Sequence, residues 1–315
     1  MAKKPKNMTQ YLIAKLQWLP ISLGYFFLPH LSRRMLLRLV RVVASIGMLF
    51  DRKGRRFAVE NIKFVFPKLS AKRRHAILVG CYRNITRVLF DMFWFSRADA
   101  ALIKRWATLP PSWQVALEQT GPKIIVTAHH GNWEMAAQIA VTHGFPLMSV
   151  GRPLGTEETT RRLNAFRSRF GQEIVLSEGA VIPLLRTLRR GGNIALLADQ
   201  HLCSRRGGIW TTFLGNHAQI APTPAFFLQR IKEARIFVGY FQARPDGHYR
   251  GVPPIVISRR EGESLEAVTQ RVADASSKLI RRFPTQWLFA YRLWRDIPTG
   301  ELISRWPSYA QPFTE

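Results

Sequence analysis

Two hydrophobic periodicities divide the chain. Up to about residue 115 the apolar positions recur at helical spacing. Beyond Gly121-Pro122 short β-branched runs alternate with amphipathic stretches. In the first part an apolar segment, Tyr11 to Leu31, is about long enough to cross a bilayer, but Lys15, Gln17, Pro20 and Pro29 interrupt it. A full span, a tilted or half-inserted anchor and a buried helix all remain open for it. Basic residues precede it, yet no small-residue cleavage site follows, so it does not read as a removable signal peptide. Next comes RRMLLRLVRVVASIGML, Arg33 to Leu49. Arg34, Arg38 and Arg41 recur at i, i+4 and i+7, with Leu, Val and Met on the other face. That pattern predicts a basic amphipathic helix suited to an anionic membrane surface, against the plainer reading of a surface helix with a solvated basic face. Arg52 to Arg56 reads as a charged turn, and Phe57 to Trp94 as helix with a break at Pro67. Pro110-Pro111 closes this N-terminal helical, membrane-associating region, residues 1–115.

The second region, residues 116–315, changes period. Lys123 to Ala128, KIIVTA, has the composition of a strand buried on both faces, and Leu147 to Val150, Glu173 to Leu176, Asn193 to Ala198 and Arg235 to Phe241 follow it. Between them Trp133 to Thr142, Glu157 to Arg169 and Val181 to Arg190 have the length of crossover helices, and a last long helix is expected from Leu265 to Arg282. Thr156 before Glu157-Glu158 is a helix start and Gly191-Gly192 a helix stop. This alternation predicts an α/β fold with a mostly parallel central sheet flanked by helices.

Composition narrows the partners. The 315 residues are 47% hydrophobic and can bury a sizeable core, while 47 Lys and Arg against 20 Asp and Glu give a net charge of +27. Such charge forecasts anionic partners: nucleic acid, lipid head groups, a phosphorylated substrate or an acidic carrier protein. The abundance of Trp, Phe and Leu tilts the choice toward a membrane. Cys81 and Cys203 have no C-x-x-C spacing, which disfavours both a disulfide framework and a cysteine zinc site.

The segment richest in chemistry is KIIVTAHHGNWE, Lys123 to Glu134. A buried strand delivers His129 and His130 to its carboxyl end, where open α/β sheets bind ligands. Gly131 permits a sharp turn, Asn132 can cap the next helix, and Glu134 falls in that helix's first turn. The His-x4-Glu spacing lets the carboxylate fold back toward the His129 imidazole, fixing its tautomer and steadying the imidazolium. Three other readings compete: a helical i, i+4 pair of His130 and Glu134, a metal site, and plain loop histidines. The metal site lacks H-E-x-x-H spacing and an evident third ligand.

HHGNWE resembles the H-x-G-N-W-E form of the His-x4-Asp/Glu motif of the bacterial lipid A biosynthesis late acyltransferases, the lauroyl and myristoyl transferases, and of the related mycobacterial mannoside acyltransferases. The likeness continues in order through NIKFVFP (Asn61–Pro67), VGRPL (Val150–Leu154, with Gly151 where an aromatic residue is common) and NAFRSRFG (Asn164–Gly171). It goes on through LRRGGNIALLADQ (Leu188–Gln200), GIWTTFLG (Gly208–Gly215), AQIAPTP (Ala218–Pro224) and PTQWLFAYRLWR (Pro284–Arg295, with Tyr291 where His is usual). It spans roughly residues 20–297. The resemblance implies a glycerolphosphate-acyltransferase-like fold at the inner membrane, its core on the cytoplasmic face. It implies transfer of a fatty acyl chain from acyl carrier protein, or acyl-CoA, to a hydroxyl of a lipid A precursor or similar glycolipid, with no cofactor or metal. By this likeness His129 is the general base and Glu134 its partner. Arg152 and Arg167 would contact phosphate on acceptor or donor, and Asp199 would line the same sheet edge in a substrate-side or structural role. Trp287, Arg292 and Trp294 would lock the C-terminal segment onto the core. A lysophospholipid or lysophosphatidate acyltransferase shares the His-x4-Asp/Glu logic. A basic nucleic-acid-binding protein would call for an aromatic-studded basic sheet or a known module, and the sequence has neither.

Overall fold

The computed structural model describes residues 21–153 and 156–313. The Tyr11–Pro20 half of the apolar segment therefore lies outside the described residues, and residues 21–27 are helical. Among the described residues no helix is long and apolar enough to cross a membrane.

Helices follow their sequence signals. α1 (Arg33–Phe50), α2 (Arg52–Val65) and α3 (Ala71–Trp94) begin at Ser32, Asp51 and Ser70, each accepting a hydrogen bond from a first-turn amide. Residues 52–56, expected as a turn, instead open α2, because Asp51 caps it through the Gly54 amide. Pro67 falls in the gap between α2 and α3. Next come α4 (Ala100–Trp106) and α5 (Pro111–Glu118), then the alternating part, with α6 (Trp133–Thr142), α7 (Glu157–Ser168), α8 (Val181–Arg189), α9 (Thr223–Arg230) and α10 (Leu265–Arg282).

The central sheet has six strands: β1 (Lys123–Thr127), β2 (Met148–Gly151), β3 (Glu173–Leu176), β4 (Ile194–Leu197), β5 (Arg235–Val238) and β6 (Ile255–Ser258). Their spatial order is β6-β5-β1-β4-β2-β3, parallel throughout except for β6 against β5. β6 was not among the strands the pattern predicts. It lies at the sheet edge with Val256 exposed, so its apolar run is too short and too wet to stand out. Two strands outside this sheet, Ile209–Phe213 and Asn216–Ile220, form a hairpin whose turn residues Leu214 and Gly215 both have positive φ.

The sheet order creates a crevice. From β1 the chain crosses to β2 on one side, whereas from β4, its neighbour, it crosses to β5 on the other. Connections that leave adjacent strands in opposite directions part above the sheet, and ligand sites of open α/β folds lie at the carboxyl ends there. The helical N-terminal region closes against this edge. Ala58, Ile62 and Ile77 share a core with Trp287, Phe289 and Trp294. Asn61 donates to the carbonyls of Phe289 and Tyr291, and Asn84 to those of Gly131 and Gln286.

Candidate active site

β1 ends at Thr127 and β4 at Leu197, paired residue for residue, so the two chains run on side by side into His129 and Asp199. After His129 the backbone turns sharply. Gly131 has φ +62°, and a Cβ there would sit 2.1 Å from the Phe241 carbonyl oxygen, so only glycine fits. Asn132 then caps α6 by accepting from the Met135 amide, while its own amide nitrogen donates to Tyr249 Oη at 2.9 Å and Asp91 Oδ2 at 3.3 Å. Asp91 is fully buried between Arg33 of α1 and Arg87 of α3, so the start of α6 is anchored in the N-terminal helices.

The imidazole of His129 is held by Asp199. The His129 amide donates to Asp199 Oδ2 at 2.8 Å, and ring Nδ1 donates to Oδ1 at 2.8 Å. Trp287 Nε1 donates to Oδ2, also at 2.8 Å. Burial by itself would raise the Asp199 carboxyl, but the charge of His129 and these donors hold it below the ordinary carboxylate range. With Nδ1 carrying the hydrogen, Nε2 presents its lone pair. Burial pushes His129 down, yet the Asp199 charge and hydrogen bond, helped by Glu134, override it and raise its pKa above the ordinary 6.5. Arg152 opposes this from just beyond β2, where its side chain is exposed.

The contact expected between His129 and Glu134 is not the one the chain makes. Arg167 of α7 forks onto Glu134, Nε to Oε2 at 2.8 Å and Nη2 to Oε1 at 2.6 Å. Both oxygens of Glu134 are thereby engaged, and Asp199 has Nδ1 of His129. Glu134 acts on His129 through its charge alone. Arg167, expected on phosphate, keeps only Nη1 without a partner, and that atom is buried. Asp199, expected at the same sheet edge in a substrate-side or structural role, sits behind the imidazole and holds it. Trp287, expected as a C-terminal lock, is buried and also reaches the site through its hydrogen bond to Asp199. His130 is buried, donates from Nε2 to the Phe283 carbonyl at 2.9 Å and stacks on Tyr240. Burial drives its pKa down to about 4, so it stays neutral and structural.

Beside this cluster opens a largely apolar cleft, part of it open to solvent. Trp113, Leu117, Ile125, Ala137 and Leu197 supply apolar wall, with Glu134 and Arg167 at the polar side. Trp133 also lines it, and its ring meets the His129 ring edge-on at 5.0 Å. Trp113 and Leu117 come from α5, in a stretch where the sequence carries no chemical motif, so the sequence reading did not find them.

The site thus consists of a histidine held by a carboxylate at the switch point of an α/β sheet, next to a largely apolar cleft, an arrangement suited to acid–base chemistry in an enzyme. Residues 2–296 match the sequence model of the bacterial lipid A biosynthesis acyltransferases, and the chain belongs to that family. It is an acyltransferase of lipid A biosynthesis. No protein of curated function matches it.

Proposed function

We propose that the protein transfers a fatty acyl chain from a thioester donor, acyl carrier protein or acyl-CoA, to a free hydroxyl of a lipid A precursor or similar glycolipid. The observation that carries this reading is the imidazole of His129, held at Nδ1 by Asp199, beside an apolar cleft that suits a hydrocarbon tail. His129 takes the acceptor's proton from Nε2 as the oxygen attacks the thioester carbonyl, and Asp199 steadies the imidazolium. Glu134 adds negative charge nearby and, through Arg167, fixes the side of the cleft where the reacting carbonyl lies. The first-turn amides of Trp133 and Glu134, which have no partner along the helix, serve in this reading as donors to the developing negative charge. Arg152, exposed just beyond β2, suits phosphate on the acceptor or donor.

The same reading sets the protein on the cytoplasmic face of the inner membrane. α1 buries Leu36, Val40 and Ala44, yet on its opposite side Met35, Leu39, Val42, Ile46 and Leu49 are exposed, flanked by exposed Arg34, Arg38 and Arg41. An outward apolar stripe bordered by arginines suits the interface of an anionic leaflet. No cofactor or metal enters the chemistry.

The test is in vitro transfer. The full chain in detergent, given a lauroyl thioester and a lipid A precursor, forms the acylated product, and His129→Ala lowers kcat by a factor on the order of 10³ or more with the donor KM little changed. A His129→Ala protein as active as wild type contradicts the reading.

A further inference from the structure

The second ring nitrogen of His129 also has a partner. Gln200 follows Asp199 directly, and its side-chain amide nitrogen lies 3.4 Å from His129 Nε2. Because Asp199 is an acceptor only and holds the Nδ1 hydrogen, Nε2 has none to give, and Gln200 must be the donor in this contact. Two consecutive residues beyond β4 thus hold the imidazole on both nitrogens, one behind it and one on the side from which an acceptor hydroxyl must arrive. Gln200 is half-buried, and no other hydrogen bond of its side chain is seen among the described residues. The amide is therefore held by the lone pair that the reaction requires to be vacated.

We propose that Gln200 is a further catalytic residue whose side-chain N–H groups receive the oxyanion; this rests on the acyl-transfer reading above. The acceptor hydroxyl displaces the amide from Nε2 and donates its proton there. Its oxygen forms a bond to the thioester carbonyl carbon, and the carbonyl π pair moves onto oxygen. That oxygen forms within reach of the displaced amide, which donates to it alongside the Trp133 and Glu134 amides. On collapse the C–S bond breaks, the oxygen re-forms its double bond, and the leaving thiolate takes the proton from His129 Nε2. Acyl thioester and alcohol become ester and thiol, with no other reactant. A side-chain amide 3.4 Å from the base's Nε2 has the reach for this, and loss of one such donor typically lowers kcat by about 10²–10³-fold.

The experiment uses the full chain with lauroyl-coenzyme A and lauroyl-acyl carrier protein as donors, following thiol release with a lipid A precursor as acceptor. Gln200→Ala, and Gln200→Glu, which keeps the shape but cannot donate when ionised, each lower kcat by about 10²–10³-fold while donor KM holds. The decisive arm repeats Gln200→Ala in a His129→Ala background with hydroxylamine, a nucleophile that needs no base. There the loss recurs, about tenfold or more, because oxyanion donors act without the histidine. Single variants within about threefold of wild type overturn the assignment, as does a loss that disappears in the His129→Ala background, which would make Gln200 act through the imidazole. Should Gln200→Ala fail to fold by circular dichroism, Gln200→Glu decides in both backgrounds. A wild type that consumes neither thioester overturns the acyl-transfer reading itself, and this assignment with it.

Discussion

An imidazole whose Nδ1 hydrogen is committed to a carboxylate can act only through Nε2, and at His129 that carboxylate is Asp199. The sign of the pH dependence follows. The base works when neutral, and its pKa is raised above 6.5, so kcat rises with pH through an acid limb above that value. Asp199→Asn removes the largest favourable influence on the imidazolium and leaves burial to dominate. The limb then moves to lower pH, while kcat at the optimum falls by a factor on the order of 10⁴ because the amide no longer enforces the tautomer. Glu134→Gln moves the limb the same way by less, since Glu134 acts through charge without a hydrogen bond. Rate–pH profiles of the two variants check this ordering; a larger effect at Glu134 would contradict it. The spacing of His129 and Glu134 was readable because both lie in one strand–turn–helix junction. The actual holder was not, because Asp199 stands 70 residues away and only sheet pairing brings it in. Which of two nearby carboxylates binds an imidazole also depends on a third group, here Arg167, which engages Glu134 first.

At the scale of elements, periodicity read well where one face is plainly buried. α6 and α10 have the ends expected from the pattern, Trp133–Thr142 and Leu265–Arg282, and β3 spans Glu173–Leu176 as expected. α1 is subtler. Its sequence shows arginines on one face and apolar residues on the rest, but only packing reveals that those apolar residues divide between the core and the outside. The outward set supports one prediction. Val42→Asp with Ile46→Asp leaves thermal stability near wild type, because neither side chain is in the core. It lowers binding to anionic phosphatidylglycerol vesicles at least about tenfold, since apolar insertion and charge attraction both weaken. Vesicle co-sedimentation measures it, and unchanged binding would remove α1 from the membrane contact. β6 marks the opposite limit. An antiparallel edge strand is defined by the neighbour it pairs with, and four residues with alternate exposure carry little signal alone.

Over the whole molecule, the +27 charge, the apolar cleft and the switch-point histidine all fit the proposed transfer from a thioester donor to a lipid acceptor. The buried Arg33–Asp91 pair links α1 to α3, and Asn132 links Asp91 to the start of α6. The outward apolar stripe and the catalytic turn therefore belong to one connected framework, with Gly131 and Asn84 pinning the turn between them. The class of fold was legible from the βα alternation alone. Its closure by N-terminal helices against the C-terminal tryptophans was not, because those contacts join the two ends of the chain. The central claim, acyl transfer to lipid by His129, is tested most directly by mass spectrometry of membrane lipids from cells lacking the gene, complemented with wild type or with His129→Ala. The account predicts that wild type restores a lipid heavier by one fatty acyl group and that His129→Ala leaves the profile of the deletion. Identical profiles from wild type and His129→Ala, both differing from the deletion, would contradict it.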